Sequence, residues 1–257
     1  RGGERTIGAG LWPFVRYARH AGFGSIRVQS NGLLYATRAN AARLLEAGVT
    51  PFHVSIPTQD EAAYARMVRR AGTWARMRDG LANLVALGAA PIADVILEAG
   101  TVGRLSDAIR WLHGLGVRDA DLWSVSLTDA NRDNVASMPR ISDVLPQVLA
   151  ALEVADALGV RVRTLHLPRC LLGARAGHAH DPAADRVRVL SPDDEFDLEH
   201  SKLTPQVHVP ACDGCPDRAR CRGLRPDYLE RFGDAEVARA RGQAPAIAPT
   251  RLAVIAS

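Results

Sequence analysis

The chain has 257 residues, 47% hydrophobic and 23% charged, with a formal net charge of +4. At about 100–200 residues per domain, that is one large domain or one domain with a small appendage. No apolar run approaches the roughly 18 residues that cross a bilayer, which excludes a membrane-spanning helix; the composition also excludes a collagen-like or disordered chain. Basic residues number 32 against 28 acidic ones, and all but Lys202 are arginines, scattered along the chain, so no nucleic-acid surface is predicted. The first residue is Arg1 and no charged-then-apolar leader follows it, so the chain reads as a fragment of a longer gene product, expected in the cytoplasm.

In chain order, helix-like stretches end in a small residue or leucine plus glycine at Ala21-Gly22, Ala47-Gly48, Leu87-Gly88, Leu115-Gly116 and Leu158-Gly159. Glycine just past a periodic segment stops a helix, because it takes the left-handed cap conformation without steric cost. Each stop precedes a strand-length apolar segment, at 25–30, Phe52–Ile56, Ile92–Leu97, 122–127 and 160–165. Between them, 36–47, 73–87, 104–114 and 142–158 carry apolar residues at helical spacing. Strands alternating with helices predict an α/β fold with a parallel sheet. The glycines stand 26, 40, 28 and 43 residues apart, which excludes a short-period solenoid and leaves a partial (β/α) barrel or a doubly wound sheet.

Both folds gather ligands at the C-terminal ends of their strands. Those ends are polar here. The chain opens Gly2-Gly3-Glu4; later segments end Gln29-Ser30-Asn31-Gly32, carry Ser55 before Pro57-Thr58-Gln59, stop at Glu98, and contain Ser124 and Ser126. Each has an ordinary reading as a turn, a satisfied backbone group or a solvated charge. Their recurrence at one end of successive strands points to a ligand site.

All four cysteines follow residue 169. Cys212-x2-Cys215-x5-Cys221 brings thiolates together around a tight turn helped by Gly214 and Pro216, and Cys170 completes four if the chain folds back. A structural zinc site and an iron–sulfur cluster both fit, and spacing alone favours zinc. A disulfide framework fits less well, since nothing indicates export. His178 and His180 read as members of a solvated loop rather than as ligands.

Taken in order, Gly2-Gly3-Glu4, Ser30-Asn31-Gly32, Ala47-Gly48-Val49 leading into Val54-Ser55-Ile56, and Gly72-Thr73 opening a helix resemble the radical S-adenosylmethionine (radical SAM) enzymes from their second strand onward. Cys212-x2-Cys215-x5-Cys221-x-Gly223, with Tyr228 and Phe232-Gly233 downstream, is similar to the auxiliary-cluster extension of that family's SPASM and twitch members. The resemblance implies a partial (β/α)6 TIM-like barrel lacking its first strand over 1–167, an auxiliary-cluster region over 168–233 and a tail over 234–257. It also implies S-adenosylmethionine, a catalytic 4Fe-4S cluster on a Cys-x3-Cys-x2-Cys loop upstream of Arg1, and an auxiliary 4Fe-4S cluster on Cys170, Cys212, Cys215 and Cys221. Arg225 stands where a full SPASM extension often continues with cysteine, so the one-cluster twitch version is the better match.

Carried over by position, Gly2, Gly3 and Glu4 would hold the methionyl amine, through closely approaching backbone carbonyls and a carboxylate acceptor. Ser30 and Asn31 would sit beside the cofactor, Ser55 would face its ribose or carboxylate, and Glu98 occupies the matching strand end. The 95–97 segment and Trp123 read as core, with contacts to adenine and to substrate as their alternatives. The family's reaction is reductive cleavage of S-adenosylmethionine to a 5′-deoxyadenosyl radical that abstracts hydrogen from substrate. A peptide or small-molecule substrate and a reductant such as flavodoxin or ferredoxin are implied, with no nucleic acid or membrane partner. The non-enzyme alternative is a zinc-stabilised α/β binding module.

Overall fold

The computed structural model describes residues 10–127, 131–181, 188–190, 195–197 and 207–240. All five glycine stops take the left-handed backbone, with φ of 89° at Gly22, 99° at Gly48, 76° at Gly88, 87° at Gly116 and 67° at Gly159. They punctuate α1 (Leu11–His20), β1 (Val28–Ser30), α2 (Arg38–Glu46), β2 (Phe52–Ile56), α3 (Glu61–Val68), α4 (Thr73–Ala86), β3 (Ile92–Leu97), α5 (Leu105–Gly114), β4 (Asp119–Ser124), α6 (Ile141–Leu158) and β5 (Arg161–Leu165). No described helix is long and apolar enough to cross a membrane.

The strands pair in parallel in the order β1-β2-β3-β4-β5. A doubly wound sheet reverses its strand order at a switch point, and this order does not reverse. The fold is therefore α/β, with the five-stranded parallel sheet of a partial TIM-like barrel. The expected strand at Gly2-Gly3-Glu4 lies outside the described residues.

In a parallel sheet of sequential neighbours, right-handed crossovers place the connecting helices on one face. Phe52, Val54, Val95, Leu97, Leu122 and Val162 share a face by register and are all buried. Val95 and Leu97 thus belong to the helix-facing core, and the adenine alternative for that segment falls to Ile96, on the other face and half-buried.

β4 spans Asp119–Ser124 rather than 122–127. Aspartates ordinarily mark loops, but here β5 supplies partners: Arg161 pairs with Asp119, and Arg163 grips both oxygens of Asp121 at 2.9 and 2.8 Å. α3 is a further departure, an unanticipated short helix whose N-cap Asp60 accepts from the Ala63 amide at 2.7 Å.

The Asn31-Gly32 turn has a packing role. Gly32 has φ 80°, and a Cβ placed on Gly80 of α4 would lie 2.3 Å from its carbonyl oxygen. The turn and the helix backbone therefore touch, and only glycine fits at Gly80.

The chain divides into two compact units, Arg1–Leu167 with Gly177–His180, and Pro168–Ala176 with Asp181–Ser257. Besides the sheet, the first unit includes a short return in which Ala179 bridges Thr164 on β5. The second contains the antiparallel hairpin β6 (Arg188–Leu190) and β7 (Glu195–Asp197), followed by α7 (Pro226–Phe232) and α8 (Ala235–Ala240). Its Val207–Leu224 bridge, bonded both ways at 2.7 and 2.9 Å, runs so close that a Cβ on Gly223 would meet the Val207 oxygen at 2.1 Å. Much of the linker at 173–207 and the tail after residue 240 lie outside the described residues.

Gly80→Ala is expected to destabilise the protein by about 1–3 kcal/mol, the usual cost of overpacking, although alanine is the better helix former. A denaturation midpoint that rises instead refutes the close approach. Asp60 gives a pH prediction: its bond from the Ala63 amide and its pairing with Arg104 hold its carboxyl below the ordinary 3.8. Because the folded-state value is depressed, the contribution is present above the unfolded value and fades as pH falls through the folded one. Asp60→Asn keeps a capping oxygen and should lose stability at neutral pH but narrow its gap to the parent below 3.8, as read from thermal melts.

Candidate functional site

Opposite the helices, the sheet carries a polar face. Register places Gln29, His53, Ser55, Asp94, Ile96, Asp121, Trp123 and Arg163 together there. A barrel interior is ordinarily filled by layers of branched apolar side chains. Here Asp94, 1% exposed, accepts from Gln29 Nε2 at 2.8 Å and pairs with His53 Nδ1 at 2.9 Å, His53 being 3% exposed. Asp121, 2% exposed, holds Arg163 beside them.

His53, Asp94 and Asp121 present ligand atoms within 4.8 Å of one another. Both oxygens of each carboxylate already face protein donors, so this is a satisfied hydrogen-bonded network rather than an ion site.

The strand-end residues divide between different settings. Ser55 lies on the polar face, half-buried, with no side-chain hydrogen bond among the described residues. Ser30 is in register with Val54 and therefore on the helix side, buried, its hydroxyl accepting from the Gly32 amide at 3.0 Å. Asn31 Oδ1 accepts from the Leu33 amide at 3.1 Å, a side-chain-closed turn. Glu98 folds onto its own loop, accepting from the Gly100 amide at 3.1 Å. Gly2, Gly3 and Glu4 lie outside the described residues.

The polar face continues past the end of β5 to His166, which the sequence does not announce, beside Trp123 of β4. Trp123 is half-buried and its buried Nε1 finds no acceptor among the described residues; the His166 ring lies 5.5 Å away. His166 follows β5 with φ 67°, a left-handed conformation uncommon outside glycine and often found at functional sites. The readable signal for this face is the charge of Asp94 and Asp121 inside otherwise apolar segments.

His178 and His180 stay with the first unit. His178 Nδ1 bonds the Val162 carbonyl at 2.9 Å, and the His180 amide donates to Thr164.

The second unit brings its cysteines together. Cys170, Cys212, Cys215 and Cys221 line one pocket with Pro168, His208, Asp217 and Arg218, and none of the four is in a disulfide. The Cys215 amide donates to the Cys212 carbonyl at 3.1 Å across Gly214, whose φ of 67° makes the reversal. Thiolates on one zinc ion stand about 3.8 Å apart, from Zn–S bonds of about 2.3 Å in a tetrahedron. Among the described residues no three cysteine sulfurs converge within even 4.8 Å. Four thiols around a shared pocket form a donor set of the kind that zinc and iron–sulfur clusters both take.

No family model and no curated protein sequence matches the chain. Among solved structures, an HMG-CoA lyase from Brucella melitensis matches at 16% identity and a TM-score of 0.31, over 55% of this chain and 54% of that one. The match thus spans about half the length of the lyase chain.

Asp94→Ala would strand Gln29 and His53 without their shared acceptor, and should cost about 2–5 kcal/mol in chemical denaturation. Ser55→Ala, which breaks no hydrogen bond among the described residues, should stay within about 0.5 kcal/mol of the parent. Equal effects from the two substitutions would refute the division between a supporting network and a hydroxyl that the fold does not use.

Proposed function

We propose that the chain is the barrel and auxiliary-cluster part of a radical SAM enzyme, acting on a peptide or a small biosynthetic intermediate. The observation that carries this reading is the gathering of Cys170, Cys212, Cys215 and Cys221 around one pocket. The parallel sheet with a polar, partly open face is the setting that such chemistry needs.

In this reading, S-adenosylmethionine would supply, when bound, the radical that takes hydrogen from substrate. Gly2, Gly3 and Glu4 receive its amine, and Ser55 offers a hydroxyl to its ribose or carboxylate from the polar face. Ser30 and Asn31 act indirectly, by closing the turn beyond β1. Ile96 and Trp123 supply apolar surface on the same face as Ser55. Four cysteines leave the auxiliary cluster no position for an outside ligand, which suits electron transfer or shaping of the substrate site. A one-electron donor such as flavodoxin or ferredoxin belongs to the same reading.

Anaerobic reconstitution with iron and sulfide is expected to give a brown protein holding near-stoichiometric cluster. Cys212→Ala, Cys215→Ala and Cys221→Ala should each abolish its iron–sulfur absorption. Stoichiometric zinc without sulfide would make the chain a zinc-stabilised α/β module instead. The 257 residues contain no Cys-x3-Cys-x2-Cys loop, so S-adenosylmethionine cleavage is assayed on the complete gene product with a strong reductant. Formation of 5′-deoxyadenosine supports the enzyme reading, and its absence from a cluster-loaded sample refutes it.

A further inference from the structure

The cysteines differ in how their places are secured. Cys212, Cys215 and Cys221 belong to one local knuckle. Arg218 closes it by donating to Asp213 Oδ1 at 2.7 Å and to the Cys212 carbonyl at 3.4 Å, and its amide donates to the Cys215 carbonyl at 3.1 Å. His208 Nε2 donates to the Cys221 carbonyl at 2.7 Å.

Cys170 stands 42 residues before Cys212, and no local turn can bring it to the knuckle. Its neighbour Arg169 is 7% exposed, with Nε 3.2 Å from Asp217 Oδ1. Asp217 lies in the knuckle between Cys215 and Cys221, and it lines the same pocket as Cys170. A guanidinium buried this deeply is strongly disfavoured without an anion, and Asp217 places one on the knuckle at its side.

We infer that the ion pair between buried Arg169 and half-buried Asp217 is the positioning device that recruits Cys170 as the fourth cysteine of the centre. Arg169 acts through Cys170 and touches no reacting atom. The identity of the bound group rests on the iron–sulfur reading above, whereas the recruitment of Cys170 does not.

The test compares the parent, Arg169→Gln, Asp217→Asn and the charge exchange R169D/D217R, each checked for its fold by circular dichroism. The first readout needs no cluster: the reduced, metal-free chain is oxidised with diamide and its disulfides are mapped by peptide mass spectrometry. The parent is expected to join Cys170 to a knuckle cysteine. In Arg169→Gln and Asp217→Asn this cross-link should fall about tenfold, because thiols that drift apart lose disulfide geometry, and the exchange should restore it. Disulfides within the knuckle should remain in every variant.

The second readout is the electron paramagnetic resonance of the reduced, reconstituted chain. Arg169→Gln should reproduce the altered signal of Cys170→Ala and respond to added imidazole at the vacated iron, while the parent signal should not respond. Folded variants that cross-link Cys170 as the parent does would overturn the inference, as would a parent that never cross-links it. A parent that cross-links Cys170 but takes up no iron and sulfide would support the inference and sink the iron–sulfur reading.

Discussion

A carboxylate buried on a central strand must be answered from the strands beside it, and Asp94 sets that condition for the sheet. It sits on β3 with 1% of its surface exposed and takes donors from β1 through Gln29 and from β2 through His53. Asp121 and Arg163 extend the polar layer across β4 and β5. A slip of one residue in β3 would turn Asp94 into the helix-facing core and leave its donors stranded on the far side. The network thereby fixes register while keeping the opposite face of the sheet polar. Closure by apolar layers would have fixed a barrel equally well but left no such face.

The second unit obeys the same rule at another scale. Arg169 is as poorly tolerated in isolation as Asp94, and its partner Asp217 lies 48 residues further along the chain. In each unit a polar group that cannot be buried alone brings together segments that hydrophobic burial would leave free to slide. Nearby, Arg225 grips Asp227 at 3.0 and 3.1 Å with 5% of its surface exposed, and the Tyr228 hydroxyl bonds Glu236. Among the described residues of this unit, ionic and hydrogen-bonded pairs join segments beside a hydrophobic core that includes Leu172, Leu224 and Val237.

What could be read from the sequence was local. Left-handed glycines and period-dependent apolar runs depend on neighbours a few residues away, and they located β2 and β3 at Phe52–Ile56 and Ile92–Leu97. β4 began earlier than expected because the charges of Asp119 and Asp121 speak for a loop until Arg161 and Arg163 are set beside them. The His53–Asp94 and Gln29–Asp94 contacts span 41 and 65 residues, beyond any window of periodicity. The Cys212–Cys221 knuckle was legible from its spacing for the same local reason; Cys170 was named with it, but its approach across 42 residues is not something that spacing can derive.

A motif residue informs about function to the extent that the fold does not already need it. Ser30 and Asn31 were expected beside a cofactor by resemblance, yet their side chains close a turn against which α4 packs at Gly80. That architecture would retain them with or without a ligand. Glu98, bonded to the Gly100 amide, is in a similar position. Ser55 is different: it stands on the polar face, half-buried, with no hydrogen bond among the described residues that its hydroxyl serves. Alanine or valine would suit the strand as well or better. The hydroxyl there is a choice that folding does not dictate, and so among the strand-end residues Ser55 carries the most weight as a ligand contact.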